Sequence, residues 1–197
     1  SVHGLRIKTG ERLFQETPVD ADVVIGVPDS GLAAAIGYSR ASGIPFDVGF
    51  SKNKYIGRSF IAPSQEARAK AVSLKLNAQK DVVAGKRVLL IDDSIVRGTT
   101  SKYLVDLLYR AGAKEVHFLV SSPMVMFPCY FGIDTPYREN LIAAKMSKKE
   151  IQDFIGSTSL HYLSTEGLLE ALGHSSFCMG CFSGVYPLGA PNEFLEV

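Results

Sequence analysis

Residues 88–101, Val-Leu-Leu-Ile-Asp-Asp-Ser-Ile-Val-Arg-Gly-Thr-Thr-Ser, constrain the fold more than any other part of the chain. The four apolar residues 88–91 read as a fully buried strand of a parallel sheet. Asp92 and Asp93 follow at the strand's C-terminal end, and Ser94, Gly98, Thr99, Thr100 and Ser101 form a small, hydroxyl-rich turn. The helix that opens next is amphipathic, with Tyr103, Leu104, Leu107 and Leu108 at helical spacing. A strand, a hydroxyl-bearing loop and a helix N-terminus together make an anion site. Free N–H groups and the positive end of the helix dipole point at a phosphate, and the hydroxyls add donors. The paired acids would repel that phosphate. They suit sugar hydroxyls, which donate to carboxylates, or a hard cation such as Mg²⁺. The pattern therefore implies a ligand with a phosphate and either a polyol or a metal-bound diphosphate. A lone Asp-Asp is more often just an acidic strand end before a capped helix, but the full order of acids, serine and Gly-Thr-Thr argues against that here.

The remaining composition narrows the class. A chain of 197 residues is long enough for one domain with a substantial core. With 21 basic and 20 acidic residues the net charge is +1, which gives no electrostatic case for nucleic acid or a membrane surface. No apolar run approaches the ~20 residues of a transmembrane helix. The N-terminus, Ser-Val-His-Gly-Leu-Arg-Ile-Lys, lacks the apolar centre of a signal peptide, so a cytoplasmic enzyme is expected.

Along the chain, residues 1–16 form an expected helix, with Leu5, Leu13 and Phe14 near one face and Pro18 ending it. Residues 23–27 are a β-branched run read as the first strand. It breaks at Pro28-Asp29-Ser30-Gly31 before an Ala-rich helix over Leu32–Ser42, a second strand-loop-helix anion site. Residues 46–50 are expected as a strand, and further strands are expected at 115–121 and 159–163. Helices are expected at 100–111, stopped by Gly112, and at Thr165–Leu172, stopped by Gly173. Strands alternating with helices predict a parallel, doubly wound α/β sheet. Residues 51–80 stand apart, carrying Lys52, Lys54, Arg58, Arg68, Lys70, Lys75 and Lys80 against one acid, Glu66. Such a run is usually a solvated face, but residues 51–60 have no helical pattern. Cations on a closing loop would cover a diphosphate and exclude water. Residues 184–197 are expected to be irregular.

Residues 92–101 resemble the 5-phosphoribosyl 1-diphosphate (PRPP) signature of the type I phosphoribosyltransferases. Together with residues 52–60, Pro63-Ser64-Gln65, Lys75-Leu76-Asn77-Ala78, residues 23–30 and Tyr130-Phe131-Gly132-Ile133-Asp134, the likeness extends over essentially the whole chain to the amidophosphoribosyltransferases. That resemblance implies a type I phosphoribosyltransferase fold with a flexible hood loop over about 51–80. It implies a site in which Asp92 and Asp93 bind the ribose hydroxyls and Mg²⁺, while Ser94, Arg97, Gly98, Thr99, Thr100 and Ser101 hold the 5′-phosphate. Asp29, Ser30 and Lys52 would meet the diphosphate, with Ser30 near the metal, and Tyr55, Arg58 and Lys75 would act from the closing loop. The implied reaction is displacement of diphosphate from PRPP by ammonia, derived from glutamine in the full-length family, to give 5-phosphoribosylamine at the start of purine synthesis. Purine nucleotides are implied as feedback inhibitors, a homo-oligomer as the assembly. Residues 1–173 would be the transferase domain and 174–197 a cysteine-containing tail. The family's N-terminal glutaminase domain, which begins at a catalytic cysteine, is expected to be absent from this segment, which starts at Ser1.

Cys129, Cys178 and Cys181 are an odd number for a closed disulfide framework, and Cys-x-x-Cys in an intracellular protein points to metal or redox chemistry. By resemblance they match three of the four thiolates of a [4Fe–4S] cluster in one branch of the family, the fourth lying upstream. Read without it, zinc completed by His174, or packed free thiols, stay open. His3, His117 and His161 are expected in structural settings, and residues 124–127, Met-Val-Met-Phe, as core. Two other readings of the site are a nucleobase-salvage phosphoribosyltransferase and a PRPP-binding regulator without catalysis.

Overall fold

All four residues of β1 (Val23–Gly26) are buried, as are five of the six in β4 (Arg87–Asp92), which only a sheet covered on both faces permits. In the computed structural model, which describes residues 1–52, 76–133, 135, 137–173 and 176–190, these strands pair in parallel within a four-stranded sheet. β5 (Glu115–Val120) and β6 (Ser159–Tyr162) extend it in the order β1-β4-β5-β6, every pair parallel. The side-chain period of two sorts the apolar residues onto two faces. Val23, Ile25, Val88, Leu90, Phe118 and Val120 pack under α4 (Thr99–Arg110) and α5 (Lys148–Ile155). Val24, Leu89, Ile91 and Leu119 pack under α1 (Val2–Glu16) and α2 (Leu32–Ser42). Each such residue, fully withdrawn from water, contributes about 1.5–3 kcal/mol.

The helices α1 and α2 touch backbone to backbone. A Cβ on Gly10 would stand 1.9 Å from the Ala34 carbonyl oxygen, and one on Gly37 would stand 2.0 Å from that of Ile7. At its C-terminal end α1 meets the edge of the fold. Glu16 accepts the Ser164 backbone N–H at 2.8 Å and its hydroxyl at 2.6 Å, an added cap for α6 (Thr165–Leu172).

The expected helices and strands around 1–16, 23–27, 32–42, 88–91, 100–111, 115–121, 159–163 and 165–172 are present to within one or two residues. The expected strand over 46–50 is a correction. Phe46 makes only an isolated parallel bridge to Val24, and the next strand, β2 (Phe50–Lys52), leaves the main sheet to pair antiparallel with β3 (Leu76–Ala78). The proposed closing segment is thus entered and left through a two-stranded ribbon, followed by the single turn α3 (Lys80–Val83). Residues 53–75, including Tyr55, Arg58 and Lys75, lie outside the described residues. Unanticipated was α5, although Ser147 and Glu150 form a reciprocal capping box that the sequence displays. Another one-turn helix, α7 (Gly180–Ser183), folds back on the segment after β5, where Met126 and Phe127 donate to the Cys181 carbonyl at 3.0 and 3.1 Å.

The histidines of the sheet are structural as expected. His117 is bracketed by Ser159 Oγ at 2.9 Å and Glu115 Oε2 at 3.0 Å, and His161 is half-buried beside it. Of residues 124–127, Val125 is buried and Met124 packs on the core, while Met126 is exposed.

Gly37→Ala would add a methyl facing backbone, which cannot swing aside as a side-chain tip can. The substitution is expected to cost about 2 kcal/mol despite the better helix propensity of alanine, lowering Tm by several degrees in a thermal melt.

Candidate functional site

The chain leaves β1 and β4 at the same level and in opposite directions. After β1 it crosses through α2 to the Phe46 bridge on one side; after β4 it crosses to β5 on the other. In an open parallel sheet this reversal of strand order opens a crevice beyond the strands' C-terminal ends. Two loops border it, residues 27–31 and 92–98. The first is tied to the strand that leads into the second: Val27 N–H donates to the Ile91 carbonyl at 2.9 Å. A Cβ on Gly31 would lie 2.3 Å from that same carbonyl oxygen, so only glycine lets the first loop pass.

Asp92 ends β4 and is 7% exposed. Burial pushes its carboxyl well above the usual carboxylate range, and the neighbouring Asp93 charge adds to the shift. The Asp93 backbone N–H, donating to Asp92 Oδ1 at 2.8 Å, pulls the other way without cancelling it. Asp93 is half-exposed, accepts from the Ser94 hydroxyl at 3.3 Å, and faces Arg6 of α1 across 3.8 Å. Ser121 fixes the strand end from the far side, its N–H donating to the Asp92 carbonyl at 2.9 Å. A pair of acids whose inner member resists ionisation is a site lacking positive charge. Mg²⁺ is commonly held by one or two carboxylates plus substrate phosphates, so the donor set fits that ion.

Beyond the acids the chain turns at Gly98, whose φ of 76° is left-handed and favours glycine, and enters α4. The first N–H groups of this 12-residue helix have no acceptor within the helix. Thr99 and Thr100 are exposed at this end, Ser101 is buried, and Arg97 projects outward. On the opposite rim Asp29 is exposed and Ser30 half-buried. Lys52, at the end of β2, reaches across to Asp29 Oδ2 at 2.5 Å, joining the base of the ribbon to the first loop.

The structure thus gathers Asp29, Ser30, Lys52, Asp92, Asp93, Ser94, Arg97, Gly98, Thr99, Thr100 and Ser101 around one crevice, while Tyr55, Arg58 and Lys75 fall outside the described residues. Sequence reasoning missed Arg6, which nothing in its own helix distinguishes from the other surface cations. It also missed the close-approach role of Gly31, although a glycine directly after Asp-Ser at a strand-to-helix turn was a usable signal.

Away from the crevice, Cys129 and Cys181 are half-buried and Cys178 exposed. Burial alone would raise the Cys129 thiol, but the backbone N–H groups of Phe131, Ile133 and Gly132 outweigh it and lower its pKa. The Cys181 thiol is raised by burial, with Cys129 and Cys178 near enough to contribute. Among the described residues no three His, Cys, Asp or Glu side chains already stand as a metal site. The amide donors around Cys129 favour its thiolate, the form in which a cysteine ligates a metal.

This arrangement of fold and crevice is that of a phosphoribosyltransferase, and the chain belongs to that family: the phosphoribosyl transferase domain model matches residues 7–123. The relatives are more particular. The chain is 53% identical over 195 residues to the amidophosphoribosyltransferase of Synechococcus elongatus, covering 98% of this chain and 40% of that protein. It is 50% identical over 200 residues to that of Archaeoglobus fulgidus, covering 100% of this chain and 44% of the relative. Among solved structures, the glutamine PRPP amidotransferase from B. subtilis complexed with ADP and GMP superposes with a TM-score of 0.84 at 51% identity, over 94% of this chain and 42% of that one. The chain therefore spans about two-fifths of the length of these relatives.

Because folded Asp92 takes up its proton at higher pH than the unfolded residue, the folded state binds more protons in between, and stability falls as pH rises out of the ordinary carboxylate range. Asp92→Asn is therefore expected to melt above wild type at neutral pH without Mg²⁺, the gap closing toward about pH 4. Added Mg²⁺ should raise Tm at neutral pH for wild type but not for the variant. Melting curves across pH, with and without the ion, check this.

Proposed function

We propose that this chain is the phosphoribosyl-transfer part of an amidophosphoribosyltransferase, displacing diphosphate from C1 of PRPP by ammonia to form 5-phosphoribosylamine. The observation that carries the reading is the meeting of an acid pair, its inner member buried, with two strand-loop-helix turns where β1 and β4 end side by side. The 5′-phosphate would sit on the N–H groups and hydroxyls of Ser94, Gly98, Thr99, Thr100 and Ser101, with Arg97 beside it. The ribose hydroxyls would donate to Asp92 and Asp93, and the diphosphate would lie along Asp29, Ser30 and Lys52. Lys52 would exchange its bond to Asp29 for the diphosphate as this loop fills. Tyr55, Arg58 and Lys75 are proposed to close over the leaving group.

Asp92 and Asp93, with Ser30 nearby, would hold Mg²⁺, which would supply positive charge to the departing diphosphate. The protein's own residues position the two ends of PRPP and keep water from C1. No general base is assigned, because ammonia is already a nucleophile; the rate should rise with pH as ammonium loses its proton. In the whole protein the ammonia is proposed to come from glutamine. Purine nucleotides are proposed to inhibit and the assembly to be a homo-oligomer, supported by the B. subtilis relative's complex with ADP and GMP for the nucleotides alone. Residues 1–173 are read as the transferase domain and 174–197 as the tail, with a cytoplasmic location. No helix among the described residues is long and apolar enough to cross a membrane.

Diphosphate release from Mg-PRPP should require ammonia and ignore nucleobases. Asp93→Asn should reduce it by about 10²-fold with the fold intact by circular dichroism. Release with adenine, guanine or hypoxanthine but not ammonia would move the assignment to salvage, and binding without release to a regulator.

Cys129, Cys178 and Cys181 are further proposed to supply three ligands of a [4Fe–4S] cluster. Anaerobically purified whole protein should contain iron and acid-labile sulfide with the charge-transfer absorbance of a cluster, and Cys129→Ser should lower both contents. Equal iron in the variant would refute this ligand set.

A further inference from the structure

The phosphate loop does not stand alone. The long connection between β5 and β6 returns beneath it and holds it at three places. Ile142 N–H donates to the Val96 carbonyl at 2.8 Å, tying the loop's own backbone. The side chains of Ile142 and Phe154 fill the space under Gly98, where a Cβ would lie 2.6 Å from Ile142 Cδ1 and 3.2 Å from Phe154 Cε1. Lys102, in the first turn of α4, donates to the Phe154 carbonyl at 3.1 Å and sits 5.6 Å from the centre of its ring. That carbonyl belongs to the last turn of α5, whose negative dipole end favours a cation.

These ties converge on the residue that most needs them. Gly98 has a left-handed backbone and loses more conformational freedom on ordering than any other residue type would. Left unsupported, it would let the amides of Thr99, Thr100 and Ser101 point in several directions. The orientation of an anion-binding loop has to be set before the ligand arrives if the ligand is not to bear the cost of ordering it. The diphosphate loop has its own support in Ile91 and Lys52, so the two ends of the substrate are held by separate parts of the fold.

We infer that the β5–β6 connection is a brace for the 5′-phosphate loop, and that Phe154 and Ile142 are positioning residues that set affinity for the phosphorylated end of the substrate through Gly98. The inference rests on the site reading above and adds residues to it that touch no ligand. It predicts a split between the two ends of PRPP, a split that mere destabilisation would not cause.

The test measures binding of ribose 5-phosphate and of Mg-diphosphate separately by calorimetry, beside KM and kcat for PRPP. Phe154→Ala should weaken ribose 5-phosphate about ten- to a hundredfold, leave Mg-diphosphate within about twofold, and raise KM more than it lowers kcat. Phe154→Leu should recover most of the loss by refilling the space under Gly98. Ile155→Val, a change in the buried core of the same helix, should lower Tm without separating the two ligands. Equal losses for both ligands in Phe154→Ala, or wild-type affinities in it, would overturn the brace. If Phe154→Ala fails to fold, wild-type ribose 5-phosphate affinity combined with a lowered Tm in Ile142→Ala would overturn it as well. Wild-type protein that binds neither ligand would instead overturn the site reading, and the brace with it.

Discussion

The parallel pairing of β1 with β4 is the constraint on which the rest of the site depends. Its register runs from Val23 opposite Val88 to Gly26 opposite Ile91, and one further main-chain bond, Val27 to Ile91, carries it past the last paired residue. Parallel strands that end level must release their loops at one edge of the sheet. These two loops then separate, because one crossover goes left to Phe46 and the other right to β5. A slip of one residue would turn Asp92 into the core and bring an apolar residue to the crevice. Gly31 is the counterpart of that register: a side chain there would displace the first loop from the carbonyl that anchors it.

Charge within the crevice is distributed unevenly, and the overall balance of +1 conceals it. Asp29 is paired with Lys52, and Asp93 has Arg6 in reach. Asp92, the most buried of the three, has no ion pair among the described residues. An unpaired carboxylate withdrawn from water is costly, and proteins avoid that cost by protonating the group or by supplying a cation. The fold gives up stability at Asp92, which a cation brought to this carboxylate would restore. Local rules of this kind tend to be broken where a chain binds something.

Much of this was legible in the sequence, for reasons that also explain what was not. Runs such as 88–91 identify their strand because continuous burial leaves a continuous apolar string. The acids and hydroxyls after it stand out because no packing rule would put them there. The strand expected at 46–50 failed because its composition suits an extended chain whether or not a ladder forms. Only the neighbour of Val24 decides that Phe46 pairs once and Phe50 pairs elsewhere. The helix Lys148–Ile155 was overlooked although Ser147 and Glu150 signal its start, since a short helix among irregular turns offers little periodicity. Arg6, Gly10, Gly31, Ile142 and Phe154 owe their roles to partners from 24 to 87 positions away in the chain, distances over which local pattern carries no information.

The case of Arg6 shows what such distant contacts accomplish. Arg6 and Glu16 are ten residues apart on α1, a rise of about 15 Å. One reaches the acid pair at the end of β4, the other caps α6 beyond β6. Two strand spacings separate β4 from β6, about 10 Å, so a single helix is long enough to lie across that half of the sheet and engage both ends. Between them the glycine contacts press α1 into α2, leaving it no freedom to slide. The cation facing Asp93 is therefore carried on a rigid strut seated in the scaffold, whereas Lys52, the cation facing Asp29, sits at the mouth of the ribbon that leads into residues 53–75. The two rims of the crevice are thus charged by different kinds of element. The Asp93 rim faces a cation carried on a helix, and the Asp29 rim one carried at the end of a ribbon strand.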